Sequence, residues 1–89
     1  MRAEVMRYPV QAPAPPVNPY LLDQVAWELY RDRRYREADE VIRQVLESGL
    51  VDAAFLFHAG LIAYAVGRKD EASVRVKQAL SLDPRVHSR

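Results

Sequence analysis

The chain has 89 residues, which is room for one small domain, and it has no cysteine, which excludes disulfides and cysteine-ligated metal sites. It carries 13 basic and 12 acidic residues, so its formal net charge of +1 provides no strong field that would attract nucleic acid or an anionic membrane. We expect a cytoplasmic protein without membrane insertion, because residues 1–9 lack the apolar run of a secretory signal and the longest uncharged stretch, residues 53–67, is too short to span a bilayer.

Residues 1–18 form a proline-rich segment that differs in composition from the rest of the chain. Five of the six prolines lie at or before position 19. Proline fixes φ and lacks an amide donor, so we expect residues 11–17 to be extended, in polyproline II or irregular form. Two interpretations stay open for this segment: a flexible linker, or a stretch that lies against the helices or docks on a partner.

Helical signals begin at Asn18, a residue suited to the N-cap, which is followed by Pro19 at the first helical position. Apolar residues then recur at helical spacing, while glycines at positions 49 and 67 and an N-cap aspartate at position 52 mark further boundaries. We predict four helices, over residues 19–30, 35–47, 53–66 and 69–82. The short turns between them require antiparallel neighbours, so the chain should form two helical hairpins.

Residues 19–52 and 53–86 are two copies of one 34-residue unit, and they align without a gap. Seven positions are identical in the two copies: Leu22/Leu56, Tyr30/Tyr64, Arg34/Arg68, Glu37/Glu71, Ala38/Ala72, Gln44/Gln78 and Leu46/Leu80. A period of this length predicts stacked helical repeats, which create a groove for a partner and rarely a catalytic pocket. We therefore expect no enzyme activity and no cofactor. His58 has no second histidine or cysteine placed to share a metal, so no metal site is expected either.

The spacing of large, small and turn residues resembles that of the tetratricopeptide repeat family, and the second copy matches the family pattern best. Its matching positions are Leu56, Ala59, Gly60, Ala63, Gly67, Ala72, Val76, Ala79 and the closing Leu82-Asp83-Pro84. The resemblance implies an all-α fold of two stacked antiparallel helical hairpins in a right-handed superhelix. The chain would then divide into a proline-rich segment 1–18, a two-repeat domain 19–86 and a tail 87–89. A four-helix bundle with accidental symmetry is the alternative.

Small residues are expected where the two helices of a hairpin cross. The predicted pairs are Gly60 with Ala72 in the second hairpin and Ala26 with Ala38 in the first. A larger side chain at these positions would clash with the facing helix and open the hairpin.

The family resemblance also implies that the leading helix of each hairpin lines a concave face. The residues at these positions are mostly aromatic or polar: Asp23, Gln24, Trp27, Tyr30, Phe57, His58, Leu61 and Tyr64. Rigid rings suit an apolar or proline-containing segment of a partner protein. Related repeats that grip an acidic carboxyl-terminal tail use a lysine/asparagine clamp at these positions, and this chain has none there. The open alternative is that the rings pack against neighbouring helices or a second subunit.

The turns inside the two hairpins should lie at one edge of the stack, where they gather basic residues. This basic rim consists of Arg31, Arg33, Arg34, Arg36, Arg68 and Lys69. Acidic neighbours partly neutralise it, so we expect a solvated rim, with binding of RNA or another anion as the lesser alternative.

The fourth helix is expected to leave apolar residues uncovered, and these are Val76, Ala79, Leu80 and Leu82. Helical repeats usually need at least three units and a polar cap, so something should cover this face. The candidates are residues 1–18, a homodimer contact, a partner protein or further repeats. The leading hypothesis is thus a protein-binding adaptor, scaffold or assembly subunit, and the alternative is a structural subunit that self-assembles through the last helix.

Overall fold

The computed structural model describes residues 18–88, which are helical and contain no β-strand. The elements in chain order are α1 (Pro19–Arg31), α2 (Tyr35–Glu47), α3 (Ala53–Ala65), α4 (Lys69–Leu82) and a 3-10 helix (Val86–Ser88). The predicted all-α fold is confirmed, whereas the prediction for residues 1–17 lies outside the described part of the chain. Within residues 18–88, no helix has both the length and the apolar character needed to cross a membrane.

Side-chain caps explain where the leading helices begin. The Asn18 side chain accepts a hydrogen bond from the Tyr20 amide at 2.9 Å, and Pro19 occupies the first turn of α1. The Asp52 side chain accepts a hydrogen bond from the Ala54 amide at 2.8 Å at the start of α3. Each such cap stabilises its helix by about 1 kcal/mol, which is why these two boundaries follow from local sequence.

We call two residues 34 positions apart, one in each copy of the repeat, register mates. The turns inside the two hairpins have the left-handed backbone conformation at register mates. Gly67 has φ +95° in the second turn, and its register mate Arg33 has φ +64° in the first. This conformation costs a residue with a Cβ atom about 1–2 kcal/mol. The first turn therefore carries strain that the second turn avoids.

The two hairpins stack side by side. α1 packs on α2 and α3 packs on α4, while α2 packs on α3 and α1 touches α3. Side chains from the first three helices form the main core cluster: Ala26, Ala38, Ile42, Val45, Phe55, Ala59 and Ile62. Because this cluster includes residues from both copies of the repeat, the hairpins share one core and hold a fixed mutual position.

The second hairpin has a close crossing of helices at Gly60. A Cβ atom placed on Gly60 would lie 2.7 Å from Val76 Cγ2 and 3.2 Å from the Ala72 carbonyl oxygen. In the first hairpin, Ala26 and Ala38 are both fully buried. The predicted crossing of Gly60 with Ala72 is confirmed, and the predicted small residues of the first hairpin both lie in the main core cluster.

The prediction that Val76 and Ala79 of α4 are uncovered is wrong. Ala79 is fully buried, because its position on α4 faces α3 and Val86 covers it from the 3-10 helix. Val76 is half-buried against α3. Leu80 and Leu82 are exposed, as expected. The second core cluster that forms here consists of Ala53, Leu56, Ala79 and Val86.

Candidate functional site

The two leading helices are joined by a contact between Asp23 of α1 and His58 of α3. His58 Nδ1 lies 2.9 Å from Asp23 Oδ1 and 3.0 Å from Oδ2, so the ring N–H donates to the carboxylate. Asp23 is only 7% exposed, and a buried carboxylate requires such a partner. The contact supplies a hydrogen-bond donor to the buried Asp23 carboxylate and fixes the orientation of the imidazole ring.

Three rings stack along the line where α1 meets α3. The Trp27 ring lies 4.2 Å from the His58 ring at an interplanar angle of 18°, and 5.0 Å from the Tyr30 ring at 12°. Each aromatic contact of this kind contributes about 0.5–1.5 kcal/mol beyond its buried area. We refer to His58, Trp27 and Tyr30 as the ring stack.

The ring stack continues at one end onto α2, where the rings of Tyr30 and Tyr35 lie 5.5 Å apart at 57°. All members of the stack are half-buried, so their remaining faces and edges are open to solvent. The alternative that these rings pack against neighbouring helices therefore holds for part of each ring. The stack is a preformed surface whose side chains already hold one another in place.

The other predicted groove residues differ in how much of their surface is exposed and so accessible to a partner. Phe57 is half-buried and packs against the second core cluster, so part of its role is structural. Leu61 is half-buried and Gln24 is exposed. Tyr64 is 62% exposed, with the Lys69 Nζ atom 5.9 Å from its ring centroid. Tyr64 is thus the most accessible aromatic ring among the predicted groove residues.

Two arginines of the basic rim, Arg34 and Arg68, donate hydrogen bonds to carboxylates. Arg34 donates two hydrogen bonds to Glu37, at 2.7 and 2.5 Å, and this contact lowers the pKa of Glu37 from its ordinary value. Arg68 donates to Asp39 and, at 2.9 Å, to Glu71, and these hydrogen bonds raise the pKa of Arg68. A phosphate group would have to compete with these carboxylates for both guanidinium groups.

The rim also borders an open cavity of about 750 Å³, which lies between residues 33–40 and residues 65–68. Its lining has both signs of charge, with arginines beside Glu37, Asp39 and Glu40. Arg31, Arg33 and Arg36 are exposed, and Lys69 lies near the Tyr64 ring. The predicted gathering of basic residues is visible, and carboxylates offset the charge of two of its members, Arg34 and Arg68.

Two contacts that tie the hairpins together were not anticipated from the sequence. One is the Asp23–His58 pair, and the other is the hydrogen bond from Arg68 of the second hairpin to Asp39 of the first. The presence of arginine at position 34 as well as 68 was a signal that this position has a role in both copies. The alignment contained no comparable signal for Asp23, whose register mate is Phe57.

The resemblance to tetratricopeptide repeats rests on the spacing and residue types of this chain alone. No family model, curated protein or solved structure matches it.

Proposed function

We propose that the chain is a tetratricopeptide-like module that binds protein, and that α1 and α3 together hold an extended apolar or proline-containing segment of its partner. The observation that carries the proposal is the ring stack at the contact between these helices, held in place by the Asp23–His58 hydrogen bonds. Such a role would make the chain an adaptor, a scaffold or an assembly subunit.

The aromatic character of the surface favours a rigid, extended ligand. Flat rings with fixed orientation contact proline rings and apolar side chains without a large loss of side-chain freedom. A polyproline II segment is itself preformed, so both partners lose little conformational entropy on binding. The exposed Gln24 side chain adds an amide that can donate to or accept from the ligand backbone.

The charge balance of the surface favours an uncharged segment over an acidic tail. Asp23, the buried charged group here, is already hydrogen-bonded to His58. A ligand carboxylate placed beside Asp23 would meet a like charge at short range, which is unfavourable where water is excluded. Apolar and proline-containing sequences face no such penalty.

A selection experiment tests this proposal. Random peptides displayed on phage are panned on the immobilised protein, and the selected peptides are titrated while the fluorescence of Trp27, the single tryptophan of the chain, is recorded. We expect enrichment of proline-containing and apolar peptides, a change in Trp27 emission on binding, and affinity at least about tenfold weaker for Tyr64→Ala, equivalent to about 1.4 kcal/mol.

The matched control is Val74→Ala, which shortens an exposed apolar side chain on α4, away from the leading helices. This variant should bind the selected peptides as the parent protein does. Failure to enrich any peptide, or equal binding by Tyr64→Ala and the parent protein, would show that the partner surface lies elsewhere or that the proposed ligand class is wrong.

A further inference from the structure

The second hairpin packs on the first through a joint between α3 and α2. α3 contributes Phe55, Ala59 and Ile62 to the core cluster that also contains Ile42 and Val45 of α2. The hairpins are copies of one unit. The register mates of the residues at this joint therefore lie on the outer faces of the pair, where a further hairpin would pack.

The outer face of α1 carries the register mates of the three α3 residues, which are Leu21, Val25 and Glu28. Leu21 is 59% exposed and Val25 is 45% exposed, whereas the α3 residues at these positions are buried. Asp32 follows at helical spacing on the same face. This face is therefore apolar near the start of α1 and acidic toward its end.

The outer face of α4 carries Leu80, the register mate of Leu46. Leu46 packs against both core clusters at the joint, whereas Leu80 is 38% exposed. Lys77, Ser73 and Lys69 continue this face at spacings of three and four residues, and all three are exposed. This face is apolar near the end of α4 and basic toward its start.

The 3-10 helix does not cover this part of α4. Val86 is the register mate of Asp52, the residue that caps α3. The 3-10 helix therefore lies before the position at which a following leading helix would begin. It packs on α3 and buries Ala79, but Leu80 stays exposed.

The two outer faces are complementary in the orientation that the joint already uses. α3 runs antiparallel to α2, and α1 of a second copy placed in the same way on α4 brings Leu21 beside Leu80. Glu28 and Asp32 of that copy then lie along the part of α4 that carries Lys77 and Lys69. We propose that a second copy of this chain docks in this way, with α1 of one copy on α4 of the other.

This contact is heterologous, because each copy uses two different faces. Such contacts generate open chains unless the rotation between copies closes a ring. Stacking in the repeat register also sets the leading helices of successive copies side by side, which extends the surface formed by α1 and α3. The inference is independent of the proposed ligand, since none of the docking residues belongs to the ring stack.

A substitution at Ser73 of α4 tests the register, that is, which residues of the two copies face each other. Within the chain, Arg68 donates a hydrogen bond across the joint to Asp39. Their register mates are Arg34 and Ser73, so the contact between copies would have the arginine but no carboxylate. Ser73→Asp supplies the missing acceptor and should tighten association about threefold or more, the size of a modest charge-assisted contact.

Sedimentation velocity from micromolar to millimolar protein measures the association. We expect the average mass of the parent chain to rise with concentration, and Ser73→Asp to shift this rise to lower concentration. Leu21→Asp and Leu80→Asp should each weaken self-association at least about tenfold. An equimolar mixture of these two variants should form a dimer that grows no further, since each variant keeps one intact face.

Circular dichroism checks that the variants fold, which is expected because the substituted side chains are exposed. Val74→Asp is the matched control on α4, and it should associate as the parent chain does. The proposal is overturned if the parent chain and Ser73→Asp both stay monomeric at millimolar concentration. It is also overturned if the Leu21 and Leu80 variants associate like the parent chain, or if their mixture forms no dimer.

Discussion

Replacement of Gly60 by alanine should destabilise the fold, because the added Cβ atom enters the crossing of α3 and α4. The atom would lie 2.7 Å from Val76 Cγ2 and 3.2 Å from both the Ala72 carbonyl oxygen and the Val76 amide nitrogen. The Val76 side chain can rotate away. The two backbone atoms can retreat only if the helices separate, so part of the clash persists.

The expected change in the free energy of unfolding is the difference between two effects. Overpacking of this kind costs about 1–3 kcal/mol. Alanine has a better helix propensity than glycine by about 0.8–1.0 kcal/mol, which offsets part of that cost. We expect a net loss near 1 kcal/mol, which lowers the Tm of a domain of this size by about 4–8 °C.

Thermal and urea unfolding followed by circular dichroism provide the measurement, and a double-mutant cycle identifies the cause. In a Val76→Ala background, the cost of Gly60→Ala should be smaller, because the nearest contacting atom is gone. Ala65→Gly, at the exposed end of α3, measures a propensity change without a packing change. A higher Tm for Gly60→Ala than for the parent chain would refute the close crossing.

Three further predictions test other parts of the structure by the same unfolding measurements. Arg33→Gly should stabilise the chain by up to about 1 kcal/mol, since it relieves the left-handed strain at φ +64°; a clear loss of stability would contradict that strain. Asp23→Ala should cost about 1–3 kcal/mol and show strong coupling to His58→Ala, whereas additive effects would mean that the two side chains act independently. Trp27→Ala, which removes two stacking contacts, should cost about 1–3 kcal/mol, while Tyr64→Ala should stay within about 0.5 kcal/mol. The reverse order would place Tyr64 in the core.

The helix boundaries could be predicted because they depend on neighbours in sequence. Asn18 and Asp52 cap their helices with their own side chains, and the hydrogen bonds reach only two residues along the chain. Gly67 supplies the left-handed turn residue in the same local way. The crossing at Gly60 was also predictable, because the repeat register aligns small residues at corresponding positions of both hairpins.

The contacts between elements were harder to predict because they depend on how the helices sit relative to one another. Asp23 and His58 are 35 positions apart, one more than the repeat period, so aligning the copies does not pair them. The burial of Ala79 depends on Val86, which lies beyond the last predicted helix. For the rim, sequence indicated where the arginines gather, but the pairing of Arg68 with Asp39 required the stacked arrangement of the hairpins.

We propose that the surface formed by α1 and α3 binds an extended polypeptide segment. The most direct test is to map changes in the chemical shifts of the backbone amides and of the Trp27 indole N–H by NMR while a phage-selected peptide is added to the isotope-labelled chain. We predict that the largest changes occur at the Trp27 indole, Leu61 and Tyr64. Changes confined to α2 and α4, for example around Val74 and Leu82, would contradict the claim.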